Sequence, residues 1–226
     1  MVDFIGAHMF DFGGFVLSAV AVLSYQIYLG WRTRRDPASS ALSGMHAARA
    51  AWVACVMAER RDILAVQTLR NSTMTASFMA STAVLLIIGV LTLSAQGDKL
   101  SGTWLALNMV GQVGAGLWLF KLLVMLFDLL FAFFAFCLSM RLYHHIGYLI
   151  NVPAPCALEA TQPAHVAAEL NRAAIYFRVG IRAYFFTVPL LFWLFGPLWM
   201  VGATAMLVFF LYHLDRVPKL ESDLRG

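Results

Sequence analysis

Apolar residues in this chain come in long blocks and do not alternate with polar ones. Phe12 to Trp31 carries no charged residue, and as a helix its 20 residues match a hydrocarbon core of about 30 Å. A first membrane-spanning helix is expected there. Asn71 to Gly97 is equally free of charge, is most apolar from Ala83 to Leu93, and predicts a second, tilted span ending in the turn Gln96-Gly97-Asp98. Leu100 to Met140 is 41 residues long, too long for one crossing and without a turn signal to make two. It reads as one long helix with a projecting first part and a membrane part from Trp118 to Met140. The polar string Arg141, Tyr143, His144 and His145 then closes it at the water interface, and Asn151 to Pro163, with three prolines, is a loop.

The last apolar block, Tyr184 to Leu214, would measure about 46 Å as a single helix, so it must bend or fold back. Gly196 tolerates unusual backbone angles, Pro197 suits the first turn of a new helix, and Phe195 before it is pushed away from helical angles. The block therefore predicts two arms meeting at Gly196-Pro197, the first borrowing residues from the helix before it. Two further stretches, Met45 to Leu69 and Glu159 to about Arg178, look helical without spanning. In the first, Met45, Trp52, Val56, Ile63 and Val66 recur at helical spacing beside Arg49, Arg60, Arg61 and Asp62, as in a helix lying on the inner leaflet or under the bundle. The fold class is thus an all-α integral membrane bundle of about five crossings, three spans plus a C-terminal hairpin, with amphipathic helices on the inner side. One transmembrane domain covers all 226 residues. The alternative is four spans with a kinked last helix.

Composition agrees: 61% of residues are hydrophobic and 12% charged, which excludes an ordinary soluble globule. The positive residues favour the hairpin over the kink. Seven lie between Arg32 and Arg70, four between Arg141 and Arg182, three after Leu214, and none before Phe12. Since Lys and Arg favour the cytoplasm, the N-terminus is expected outside and both inner loops and the C-terminal tail inside, with Lys99 in an outer loop. The compartment this suggests is a bacterial inner membrane. The net charge of +4 is read as attraction to anionic inner-leaflet lipid, not nucleic acid. Asp3 and Asp11 stand where a cleavable signal would carry basic residues, so the first apolar stretch is expected to remain as an anchor. Cys55, Cys137 and Cys156 are an odd set without C-x-x-C spacing and are read as thiols.

Trp52-Val53 and Met57, the run Ile63 to Asn71, Arg141 with Tyr143 and His144, and Arg182-Ala183-Tyr184 leading to Pro189-Leu190 and Trp193 to Pro197 form a recognisable set. Together they resemble the signature of a membrane family catalogued as domain of unknown function 599. The resemblance covers Trp52 to Pro197 and implies a small helical membrane protein. It assigns no activity to any residue.

Asp128 lies well inside the third apolar segment, where a carboxylate costs several kcal/mol unless paired, hydrated or protonated. It is read either as an ion or proton site or as a hydrogen-bonded residue fixing helix packing. Lys121 precedes it on the same helix face, and Asp11 lies near the outer end of the first span. These two either pair or reach separately to the headgroups. Gln67, Arg70 and Asn71, with Arg141 and Arg182, supply donors at the inner boundary suited to an anion or other ligand. The competing reading is that they bond loop carbonyls. His46, His144, His145 and His213 fall near the inner side, with His144 and His213 the weak metal candidates, but no spacing links them and no metal or haem is expected. Ser72, Ala76 and Ala80, and Gly111 with Ala115 or Gln112 with Gly116, allow close helix approach.

No P-loop, nucleophile elbow or zinc-protease pattern occurs, so no catalytic residue is assigned and the sequence leans away from an enzyme. Two functions fit: a small transport or permeation protein acting as an oligomer, and a non-catalytic scaffold or accessory subunit of a larger membrane complex. A membrane enzyme or haem protein fits less well. The partners expected are the lipid bilayer and a second copy or a partner membrane subunit.

Overall fold

The computed structural model describes residues 9–35, 41–96, 115–153 and 158–214. Six helices follow in order: α1 Met9–Arg35, α2 Ala41–Ala58, α3 Asp62–Ala95, α4 Ala115–Leu149, α5 Pro163–Trp193 and α6 Pro197–Leu214, with a short 3-10 turn at Glu159–Thr161 before α5. Among the described residues there is no strand. Five of these helices, all but α2, are long and apolar enough to cross a membrane. The turn at Gly97-Asp98, Lys99, the projecting part at 100–114 with Gly111 and Gln112, Cys156, and the basic tail with Arg216, Lys219 and Arg225 lie outside the described residues.

The C-terminal block folds back where the sequence breaks its helix. Gly196 adopts φ 138°, a backbone conformation open to glycine, and Pro197 opens α6. The two arms are helices of their own, so the kinked four-span alternative does not apply. Pro189 lies inside α5 and leaves the Phe185 carbonyl without its helical donor.

Three boundaries differ from expectation. Met45 to Leu69 is not one helix: Arg60 has φ 53° and separates α2 from α3. Asp62 to Leu69 is therefore the first part of the second span, and Ile63 and Val66 are exposed while Ala65 and Leu69 are buried. Nor is Glu159 to Arg178 a separate element. Past the 3-10 turn it is continuous with the hairpin's first arm, and Pro163 is its first residue, not the end of a loop. Finally, α4 runs on through Arg141, Tyr143, His144 and His145 to Leu149. At about 1.5 Å per residue, α3, α4 and α5 all exceed a core of about 30 Å and must tilt or project.

The small residues of α3 do the packing. Ala65, Leu69, Ala76, Ala80 and Ala83 are buried on one face, which seats against α4. A second face of α4, including Ala132, Phe136 and Ser139, meets α5, where Phe136 lies edge-on to Phe177 and Tyr184. Polar contacts lock these helices: Ser139 Oγ donates to the Ala173 carbonyl at 2.9 Å, and the Tyr184 hydroxyl donates to the Met79 carbonyl. At the end opposite the Gly196-Pro197 turn, Val53 and Val56 of α2 pack on Ala65, Tyr143, Ile146 and Val166. This end also carries Arg35, Arg49, Arg61, Arg70 and Arg141, and is called the basic end below.

The first helix packs on the last, in parallel. Gly14 meets Pro197 at the turn end, and Tyr25 packs with Leu207 and Leu211 farther along. A Cβ at Gly14 would stand 2.8 Å from the Pro197 Cβ and 3.4 Å from its Cα, so backbone must move to admit it. Gly14→Ala is therefore expected to destabilise the protein by about 1–3 kcal/mol, as overpacking does. Gly30→Ala, on the same helix in open space, should be neutral or gain up to about 1 kcal/mol. Thermal unfolding in mild detergent reads both, and a Gly14→Ala midpoint at or above wild type would contradict the close approach.

Candidate functional site

At the turn end, Lys121 of α4 and Asp11 of α1 are 4% and 2% exposed and form an ion pair at 2.6 Å. Of the two arrangements open to them, the structure has the pair. Lys121 Nζ also donates to the Trp193 carbonyl at 3.0 Å and lies 5.3 Å from the Trp193 ring centroid. Removing two charges from water costs several kcal/mol per ion, and the helix ends help to offset it. Asp11 sits in the first turn of α1, where the dipole favours an anion, and Lys121 sits at the carbonyl end of α5, where it favours a cation.

Asp128 lies two turns farther along α4, about 10 Å from Lys121 along the axis. Thr187 Oγ1 of α5 donates to its Oδ2 at 2.8 Å. Unlike the ion pair it is only partly buried, because it opens onto two cavities of about 310 and 330 Å³. These exist because α1 leans on α6. Toward α4 and α5, α1 is fastened at the turn end by Asp11, Phe12 and Phe15, and farther in by Gln26, whose Oε1 accepts a hydrogen bond from Arg182. Between the fastenings runs a groove. Toward the turn end it is mainly apolar, lined by Phe15, Ser18, Ala19, Val22, Pro189 and Leu190. Toward the basic end it is polar, lined by Gln26, Arg178 and Arg182. Asp128 and Phe186 line both parts.

The residues grouped by sequence at the inner boundary therefore divide. Arg182 joins Asp128, whereas Gln67, Arg70 and Asn71 are exposed on α3 and Arg141 is exposed on α4. His144 and His213 are exposed on different helices, and among the described residues no three His, Cys, Asp or Glu side chains gather as metal ligands. His46 of α2 is half-buried near the arginines of the basic end. Burial, then the charges of Arg49 and Arg178, hold its imidazole below the usual value and favour the neutral ring.

Sequence reasoning did not single out Thr187, Gln26 or Ser18. Gln26 had a signal, being an amide inside an otherwise charge-free span. Thr187 and Ser18 had none, since hydroxyls are common in membrane helices and usually bond their own backbone, as Thr75, Thr82 and Thr204 do here.

A model for a family of proteins of unknown function, DUF599, matches residues 14–220. The chain belongs to the DUF599 family. No curated protein and no solved structure matches it. The DUF599 match spans every residue of the Asp128 groove and also Lys121, while Asp11 lies just before it.

The ion pair makes a sharp mutational test. Asp11→Leu or Lys121→Met alone leaves one charge buried without its partner and should cost about 3–5 kcal/mol. Replacing both, as Asp11→Leu with Lys121→Met, should recover much of that loss, because two apolar groups leave no orphaned charge. Unfolding midpoints of the three variants form the cycle. Single-variant losses under about 1 kcal/mol would mean that the pair behaves as an exposed one.

Proposed function

We propose that this multi-pass membrane protein is a small transport protein, with Asp128 the group that a translocated solute or ion meets. The observation that carries this reading is the position of Asp128: a carboxylate within an apolar helix, held by Thr187 and opening onto both halves of a groove. A purely structural carboxylate would be sealed by its partners, as Asp11 is. Ionisable groups inside membrane helices that face cavities mark substrate and ion pathways. The groove is open along its flank at the exposed Leu23, so its remaining wall is lipid or the second copy that an oligomer would bring.

In this reading the basic end faces the cytoplasm and the turn end faces outside, as the bias of Lys and Arg requires. Because α1 and α6 run parallel, the two termini lie on opposite sides, and fusions to Gly226 test the orientation. A green fluorescent protein there should fluoresce, and a phosphatase that needs export should stay inactive. Phosphatase activity would reverse the assignment.

Proteoliposomes carrying gradients of protons, sodium, potassium or chloride test the role of Asp128. Wild type should dissipate at least one gradient faster than empty vesicles, and Asp128→Asn should slow that flux about tenfold or more, a change of about 1.4 kcal/mol in barrier. Equal flux from both proteins across the panel would remove Asp128 from the path.

A further inference from the structure

The cavity on the turn side of Asp128 sets a few oxygens in a wall of carbon. On α1 its lining runs from Phe15 through Ser18 and Ala19 to Leu23, steps of three and four residues that keep to one helix face. The polar side chains in the lining are Ser18, Asp128 and Thr204, and each ends in oxygen. Among the described residues that line it none is basic and none carries a side-chain N–H; Arg178 and Arg182 line the other cavity. The bonding capacity of these oxygens is not used up. Asp128 accepts from Thr187 at Oδ2, and Thr204 donates its proton to the Met200 carbonyl of its own helix and keeps its lone pairs. Ser18, 3% exposed, has an Oγ with no hydrogen-bond partner among the described residues. A buried hydroxyl in that state, on the wall of a cavity, is a group that a bound molecule can satisfy.

A lining that offers oxygens and no side-chain N–H calls for a ligand that donates. A hard metal ion takes about six or more oxygens in place of its water, and three set among carbon fall short of that. An organic ammonium needs fewer, since it directs its N–H donors to two or three acceptors and turns the rest of the molecule to the carbon wall. We infer that this cavity binds a compact lipophilic amine in its protonated form, the ammonium donating to the Asp128 carboxylate and the Ser18 hydroxyl and the apolar body lying against Phe15, Phe186 and Leu190. Charge-assisted hydrogen bonds to a carboxylate are the strongest that this lining can make, and a cation beside Asp128 offsets the cost of holding a carboxylate within an apolar helix. Two phenylalanine rings in the wall suit an aromatic body. A volume of about 310 Å³ is at the lower end of small-molecule pockets and favours one ring over a long chain. The amine enters from the lipid, where the flank is open at the exposed Leu23. The inference rests on the transport reading, for which it names the solute that meets Asp128, but binding is measured without any flux.

The test is photolabelling in phosphatidylcholine nanodiscs with a phenethylamine bearing a diazirine on its ring, the adducts mapped by peptide mass spectrometry. Adducts should concentrate on the Phe15 to Leu23 stretch of α1 and the Phe186 to Leu190 stretch of α5. Unlabelled phenethylamine should lower them about tenfold, whereas phenethyl alcohol and phenylacetate, which share the ring and lack the ammonium, should not. Those comparisons use the wild-type protein and do not depend on a variant folding. Ser18→Ala removes only the unpartnered hydroxyl, so the unfolding midpoint should stay at or above wild type while the amine concentration that halves labelling rises about threefold or more. Asp128→Asn should erase the preference for the amine over the alcohol. Equal competition by the alcohol in wild type, an unchanged half-point in Ser18→Ala, or adducts spread evenly over the outer faces of α3 and α4 would overturn the proposal. So would displacement of the probe by sodium chloride and not by potassium chloride at the same concentration, which would assign the cavity to a bare ion. If the amine is captured while Asp128→Asn leaves flux unchanged, the transport reading fails and the site stands; equal competition by the alcohol, with flux lost in Asp128→Asn, removes the site alone.

Discussion

The buried pair of Lys121 and Asp11 is the interaction on which the rest of the arrangement hangs. One ammonium group links three elements, the first turn of α1 through the carboxylate, α4 through its own backbone, and the end of α5 through the Trp193 carbonyl. Trp193 in turn stacks on Phe15 and lies edge-on to Phe120, so aromatic packing closes around the charges and keeps water out. The Gly196-Pro197 turn follows directly. Without this knot α1 would lose its fastening to α4 and α5 at the turn end, and the groove at Asp128 would lose part of its wall.

Polar groups within the bundle fall into two kinds. Ser139, Tyr184 and Lys121 each reach a backbone carbonyl on another helix, and the surroundings of Ser139 and Lys121 are closed. Such contacts contribute on the order of 1 kcal/mol each between membrane helices and act mainly by fixing register. Among the described residues Asp128 accepts one hydrogen bond, from Thr187, and it lines a cavity on either side. The difference lies in enclosure, not in residue type: the carboxylate of Asp128 faces open space, whereas that of Asp11 is sealed within the bundle.

Much of the fold was legible because hydrocarbon imposes a length. Charge-free runs marked α1, α3 and α6, and the pair Gly196-Pro197 marked the hairpin, since a 31-residue apolar block cannot be absorbed by tilt alone. Helix ends outside the core carry no such constraint. That is why α3 and α5 extend well beyond their apolar runs, and why the break at Arg60, a residue with no special liking for positive φ, left no trace in the sequence. The site was half legible. A lone charge such as Asp128 announces itself, but its neighbours Thr187 and Arg182 come from a helix whose register against α4 is set by the packing of Phe136 under Gly180, where a Cβ would stand 2.7 Å from the ring. Spacing along the chain cannot convey that register.

The parallel seating of α1 against α6 bears on how the protein is made. A ribosome delivers α1 well before α6, its main neighbour, and contacts between segments so far apart along a chain are slow to close. Until α4 enters the membrane, Asp11 has no cation beside it, and until α5 is complete Lys121 has no Trp193 carbonyl. During that interval α1 stands in lipid alone, its carboxylate held at the interface by its own hydration. Its docking waits on the synthesis of α6, so α1 reaches its place later than helices made after it.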